Sequence, residues 1–198
     1  MDFKKLQEFM ELLGRLKHMP RTGWVLRNIT DSESIASHMY RMAVLSFLVD
    51  TQENLNKQRI MQMALVHDLA ECIVGDITPY CGVSAEEKHR REDNAMMEIC
   101  QLLGNKGSEI LEIFREYESQ QSPEAKYVKD LDRLDLISQA YEYEKRDGTP
   151  GKLEEFFTST VDKISNPFLK KMASEITSQR EEKSESTSAV DCGDSDII

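Results

Sequence analysis

Apolar residues recur along this chain at helical spacing, and no segment alternates apolar and polar residues well enough to make a strand. Ile35, His38, Met42, Leu45 and Val49 fall on one helical face, and Ile60, Ala64, His67 and Glu71 on another. The first helix shows the stripe Phe3, Leu6, Met10 and Leu13, ending at Gly14 and the Met19-Pro20 break. Thr30-Asp-Ser-Glu33 has capping-box form and predicts a second helix reaching about Asp50. Further helices are expected over about Asn56–Cys72, Ser84–Leu103, Ser108–Ser119, Ser122–Arg146, Leu153–Lys163 and Pro167–Ser178. The fold class is therefore all-α, one compact domain of about six to eight helices over residues 1–178. Residues 179–198, acidic, Ser-rich and patternless, read as a disordered tail.

Composition narrows the function classes. A hydrophobic content of 39% is ordinary for a soluble protein, and no apolar run approaches the length of a membrane span. The N-terminus lacks the basic-then-apolar layout of a secretory signal. The four cysteines have no paired short spacing, so neither a zinc ribbon nor a disulfide framework is indicated. A reducing compartment, the cytoplasm or the nucleus, is expected. The net charge of −11 argues against a nucleic-acid polymer as partner. It leaves room for a small phosphorylated ligand, because a divalent cation reverses the local field of an acidic site.

Two polar residues, His67 and Asp68, end the apolar stretch Ile60–Val66, where burying them is costly without a metal or a hydrogen-bond partner. His38 projects from the apolar face of the preceding helix. Two imidazoles on neighbouring helices, with Asp68 at the side, make a nitrogen/oxygen set suited to manganese, cobalt, iron, zinc or magnesium. Asp132, at the edge of the buried stripe of the sixth helix, is the expected fourth ligand. Asp135, on the same face, is either a ligand or a structural hydrogen-bonding group, and Asp130 is expected in solvent. Taken singly, each is more often a core histidine or a solvated acid; it is the set that points to chemistry. Glu71, one turn beyond the His-Asp pair, is placed to take a proton from a water. Lys88, His89, Arg90, Arg91 and Arg41 are candidates to hold phosphate oxygens, although the Lys-His-Arg-Arg run equally suits a solvated face paired with Glu86, Glu87 and Glu92.

The strings Ser34-Ile-Ala-Ser-His38-Met-Tyr-Arg-Met42, Ala64-Leu-Val-His67-Asp-Leu-Ala-Glu71-Cys-Ile-Val-Gly-Asp76-Ile77, Glu86-Glu-Lys-His-Arg-Arg-Glu92 and Glu124-Ala-Lys-Tyr-Val-Lys-Asp-Leu-Asp132 resemble the HD-domain metal phosphohydrolases, and among them the 5′-deoxynucleotidases. The resemblance spans about Leu6 to Glu175. It implies hydrolysis of 2′-deoxyribonucleoside 5′-monophosphates to deoxynucleosides and phosphate, with Mn2+, Co2+ or Mg2+ held by His38, His67, Asp68 and Asp132. It also implies that Glu71 and Asp76 are catalytic and, with the Ile77 backbone carbonyl, form a second metal site. Trp24, Arg41 and His89 become substrate contacts, and a homodimer is expected. Relatives place an Arg-Trp pair at the sugar, whereas here Gly23 precedes Trp24 and the nearest preceding arginine is Arg21. Ser37 stands where close relatives commonly carry an acid. Two other readings are a phosphodiesterase or triphosphohydrolase acting on other nucleotides, and a scaffold in which the ion only joins helices.

Overall fold

The computed structural model describes residues 2–191. Among them there is no strand, only an isolated bridge between Pro20 and Ser34, so the all-α expectation holds. The chain divides into two compact units, residues 1–128 and residues 129 onward.

The first unit contains α1 (Phe3–Leu16), α2 (Thr22–Val25), α3 (Ile35–Leu45), α4 (Lys57–Val66), α5 (Glu71–Val74), α6 (Ala85–Leu103), α7 (Gly107–Ser119) and the start of α8 (Pro123–Asp147). Asp2, Ser34, Asn56 and Ser84 cap α1, α3, α4 and α6 with side-chain oxygens, satisfying amides that a helix start leaves open. α3 packs on α4, α4 on α7, and α1 and α5 on α6. Gly107 lets α7 approach α6 closely, since a Cβ there would lie 2.6 Å from the Cys100 backbone.

Three local expectations change. On α1 the buried residues are Leu12 and Leu16, while Phe3, Met10 and Leu13 of the predicted stripe are exposed. The second helix starts at Ser34 rather than Thr30, because the chain is still turning through Asp31 at φ 48°. Residues Ile35, His38, Met42 and Val49 are buried as predicted. The third helix stops at Val66 instead of running to Cys72. There the backbone shifts to three-residue turns, with the amides of Leu69, Glu71 and Cys72 bonded to the carbonyls of Val66, Asp68 and Leu69.

The second unit holds the rest of α8 together with α9 (Glu154–Thr160) and α10 (Pro167–Asp191). Asp130, expected in solvent, is buried. Its Oδ2 accepts from the Ser165 amide and hydroxyl and from the Asn166 amide, at 2.7–2.8 Å, just before α10. An unpaired amide in that position is costly, so the carboxylate belongs inside. The helix expected to end at Ser178 continues to Asp191, because Arg180 is an anchor. Its guanidinium donates to both Glu144 oxygens and to Glu154, and it lies 4.1 Å over the Phe157 ring. Residues 192–198 of the expected tail lie outside the described residues.

Arg180→Met leaves the buried Glu144 carboxylate without its cation, with the Leu153 amide still donating to it, and is expected to cost roughly 3 kcal/mol in urea unfolding. Ending the chain at Ser178 is expected to cost as much; an unchanged midpoint for either would show that the anchor contributes little.

Candidate active site

His38 lies in the second turn of α3, and His67 caps the C-terminus of α4; both are buried. The His67 Nδ1 lies 3.0 Å from the Ala64 carbonyl oxygen. A carbonyl only accepts, so Nδ1 carries the proton in the neutral ring and Nε2 presents its lone pair. That Nε2 is buried, has no hydrogen-bond partner among the described residues, and lies 3.3 Å from Asp68 Oδ2. The His38 Nε2 lies 3.7 Å from the same oxygen, and the two rings are 5.4 Å apart at 66°. Tyr117 of α7 packs edge-on against His67 at 5.1 Å, fixing the ring from the other side.

A lone pair facing a carboxylate oxygen at that distance, away from water, is repulsive unless positive charge lies between them. The donor set fits a divalent cation: two neutral imidazole nitrogens, one held by a backbone carbonyl, with an ionised carboxylate. Burial alone would raise the Asp68 carboxyl. Positive charge facing it, that of Arg21 included, outweighs burial and holds Asp68 well below the usual carboxylate range.

Arg21 was not foreseen in this role. Its Nη1 donates to Asp68 Oδ2 at 3.0 Å across 47 residues of sequence. The next residue, Thr22, donates its amide to Asp76 Oδ2 at 2.7 Å. The start of α2 therefore clasps two acids of the predicted site. Asp76 can meet it because Gly75 turns the chain at φ 79°, ψ 167°, a conformation open essentially to glycine. Ile77, next in sequence, is buried. Trp24 is buried on α2 and donates Nε1 to Glu33 Oε1 at 3.0 Å. Ser37 joins the α3 cap, its hydroxyl 2.9 Å from that of Ser34.

Glu71 opens α5. In the three-residue turns that replace the helix, residues three apart eclipse, bringing the Glu71 carboxyl to the side of Asp68. Its Oε2 is buried and accepts no hydrogen bond within the described residues. Burial, with the charges of Asp68 and Asp76, raises its pKa well above the ordinary range against the pull of Arg21 and Lys88. From α6, Glu92 also turns inward, 3.5 Å from Lys88 Nζ. Sequence periodicity missed it, because a Lys-x-x-x-Glu pair reads as surface.

Most of the other residues expected at the site take partners of their own. His89 is 59% exposed at its side chain and pairs with Glu118 of α7 at 3.0 Å. Arg90 and Arg91 both turn to Glu87. Arg41 is half-buried, one turn beyond His38. In the second unit, Asp132 accepts from Lys129 Nζ at 2.9 Å, and Asp135 is fully buried.

Residues 13–177 match the HD domain family. The chain belongs to that family. This HD domain is 50% identical over 178 residues to the 5′-deoxynucleotidase HDDC2 of Bos taurus, covering 89% of this chain and 86% of the relative. It is 45% identical over 179 residues to the 5′-deoxynucleotidase hdd1 of Schizosaccharomyces pombe, covering 88% and 89%. Its structure is similar to that of a protein from Pyrococcus horikoshii, with TM-score 0.69, 31% identity and 87% and 96% of the two chains covered. It is also similar to the HD domain-containing protein YGK1, with TM-score 0.65, 26% identity and coverage of 90% and 86%.

Burial, helped by Glu118 and Asp68 and opposed by Lys88, pushes Glu92 up to about 6. A raised carboxyl pKa contributes stability that is present below the unfolded value and lost as pH rises through the folded one. In urea unfolding of metal-stripped protein, wild type should lose about 2 kcal/mol relative to Glu92→Gln between roughly pH 4.5 and 7. A difference that stays flat with pH would contradict this environment for Glu92.

Proposed function

We propose that this HD domain protein is a metal-dependent 5′-deoxynucleotidase, a phosphoric monoester hydrolase acting on 2′-deoxyribonucleoside 5′-monophosphates. One observation carries the reading: the His38, His67 and Asp68 donor atoms converge beside a buried Glu71 carboxylate, in a chain close to relatives bearing that name. A scaffold would have no use for the Glu71 oxygen, which costs free energy buried and without a donor.

His38, His67 and Asp68 would hold a divalent ion, with Asp132 of α8 assigned as the fourth ligand from the sequence pattern. Mn2+, Co2+ and Mg2+ all suit this donor set. The ion supplies Lewis acidity and makes a water a stronger nucleophile near neutral pH. His67 keeps its lone pair directed inward because the Ala64 carbonyl holds the other ring nitrogen. Glu71 Oε2 accepts the proton of the attacking water and keeps that water in line with the leaving O5′. Asp76, with the Ile77 carbonyl, is assigned to a second ion. Trp24, buried and held by Glu33, supports the loop from within, and Arg21 stands two residues before the position that the arginine of the Arg-Trp pair takes in relatives. Arg41 is kept as a substrate contact one turn beyond His38.

The same reading extends to the setting of the enzyme. No helix among the described residues is long and apolar enough to cross a membrane, and Cys72, Cys81 and Cys100 are free thiols, which suits the cytoplasm. The net charge of −11 suits a small ligand better than a nucleic-acid polymer. A homodimer is supported by the exposed apolar row Tyr40, Val44, Phe47 and Leu48 along α3 and the turn after it.

His67→Ala and Asp68→Ala are each expected to lose bound metal, read by elemental analysis, and to abolish phosphate release from deoxynucleoside monophosphates. Phosphate release that survives EDTA treatment and dialysis would refute the mechanism. For assembly, Phe47→Glu is expected to turn a dimer into a monomer in light scattering; a wild-type monomer would refute the dimer.

A further inference from the structure

Hydrolysing a phosphate dianion among Asp68, Glu71, Asp76 and Glu92 requires protein cations that face the reacting group, not merely cations nearby in sequence. The segment Glu86-Glu-Lys-His-Arg-Arg-Glu92 on α6 offers four basic side chains in a row. Successive residues on a helix point about 100° apart, so they cannot all serve one site. His89 goes to Glu118, and Arg90 and Arg91 go to Glu87, with more than two-fifths of each of these three side chains exposed.

Lys88 takes a different direction. It leans along the helix toward Glu92, whose side chain is 9% exposed, with Nζ 3.5 Å from the carboxylate. Glu92 feels the charge of Asp68, and Glu71 feels the charge of Lys88, so the pair borders the carboxylates of the site. Arg21 is the other cation felt by Glu71, and its guanidinium is engaged on Asp68. α5, which carries Glu71, packs directly against α6.

We infer that Lys88 is the residue of the α6 basic run that binds a non-bridging oxygen of the substrate phosphate, and that Glu92 is the positioning residue that aims it. An ammonium on a flexible stem suits a phosphoryl group that changes shape during transfer, acting as a point charge rather than a bidentate clamp. The buried Glu92 carboxylate one turn on draws the half-exposed ammonium toward itself, whereas the neighbouring arginines both turn to Glu87. This inference rests on the phosphomonoesterase reading above.

The test uses full-length metal-loaded protein, with inorganic phosphate as the probe in calorimetry and deoxynucleoside monophosphate hydrolysis as a parallel assay. Lys88→Met is expected to weaken phosphate binding roughly 10- to 100-fold, the scale of one hydrogen bond to a charged group. Lys88→Arg should restore part of it. Glu92→Gln should raise KM and the phosphate Kd while changing kcat less, and Arg90→Met and Arg91→Met should match wild type. Wild-type phosphate affinity in folded Lys88→Met, or an equal loss in Arg90→Met, overturns the assignment while leaving the nucleotidase reading intact. Phosphate binding that depends on Lys88 in a protein inert toward every deoxynucleotide would instead overturn the nucleotidase reading. Should Lys88→Met fail to fold, with thermal melting as the control, Lys88→Gln takes its place in the same comparison.

Discussion

A backbone carbonyl directs this site. By accepting the Nδ1 proton of His67, the Ala64 oxygen commits the ring to one tautomer and points a lone pair at Asp68. Two electron-rich atoms 3.3 Å apart in a buried place make an arrangement that only positive charge can relieve. Arg21 supplies part of that charge through Asp68, and a divalent ion between the donors would supply more. The His67 ring is held by Ala64 on its own helix and by Tyr117 on another, so its position does not wait on the ligand.

The break after α4 follows from the same need. A continuous α-helix would leave Glu71 about 60° around the axis from Asp68. The three-residue turns keep Asp68 and Glu71 eclipsed, which raises the electrostatic cost of having both ionised. The clasp by the start of α2 offsets some of that cost, since Arg21 and the Thr22 amide each meet an acid from a separate part of the chain. Acids held close together in this way are poised for a cation and a phosphate; the packing that holds them is ordinary helix packing.

Legibility in the sequence varied with how local the cause was. Capping at Ser84 and the lengths of α6, α7 and α8 were readable, because hydroxyl caps, a first-turn proline and glycine stops act over a few residues. The α3 start was misplaced by four residues because Thr30 and Ser34 both offer hydroxyl caps, and only the turn at Asp31 decides between them. Asp130 reads as a solvated acid and Arg180 as part of a disordered tail, because burial of an ion depends on partners 26 to 36 residues away. The same reason hides Glu92, whose charge pattern suits a solvated helix.

By itself the sequence determined the helical class, the inward placement of His38, His67 and Glu71, and the acids at Asp68 and Asp76, because side-chain period and the cost of burying polar groups operate within a single element. Tertiary structure decided which proton His67 keeps, that Arg21 reaches Asp68, that Thr22 holds Asp76, and that Lys88 alone of its basic neighbours leans toward Glu92. Those outcomes depend on direction and distance between segments remote in sequence. Electrostatic interactions in a buried site change steeply over a few ångströms, a scale that residue spacing does not encode.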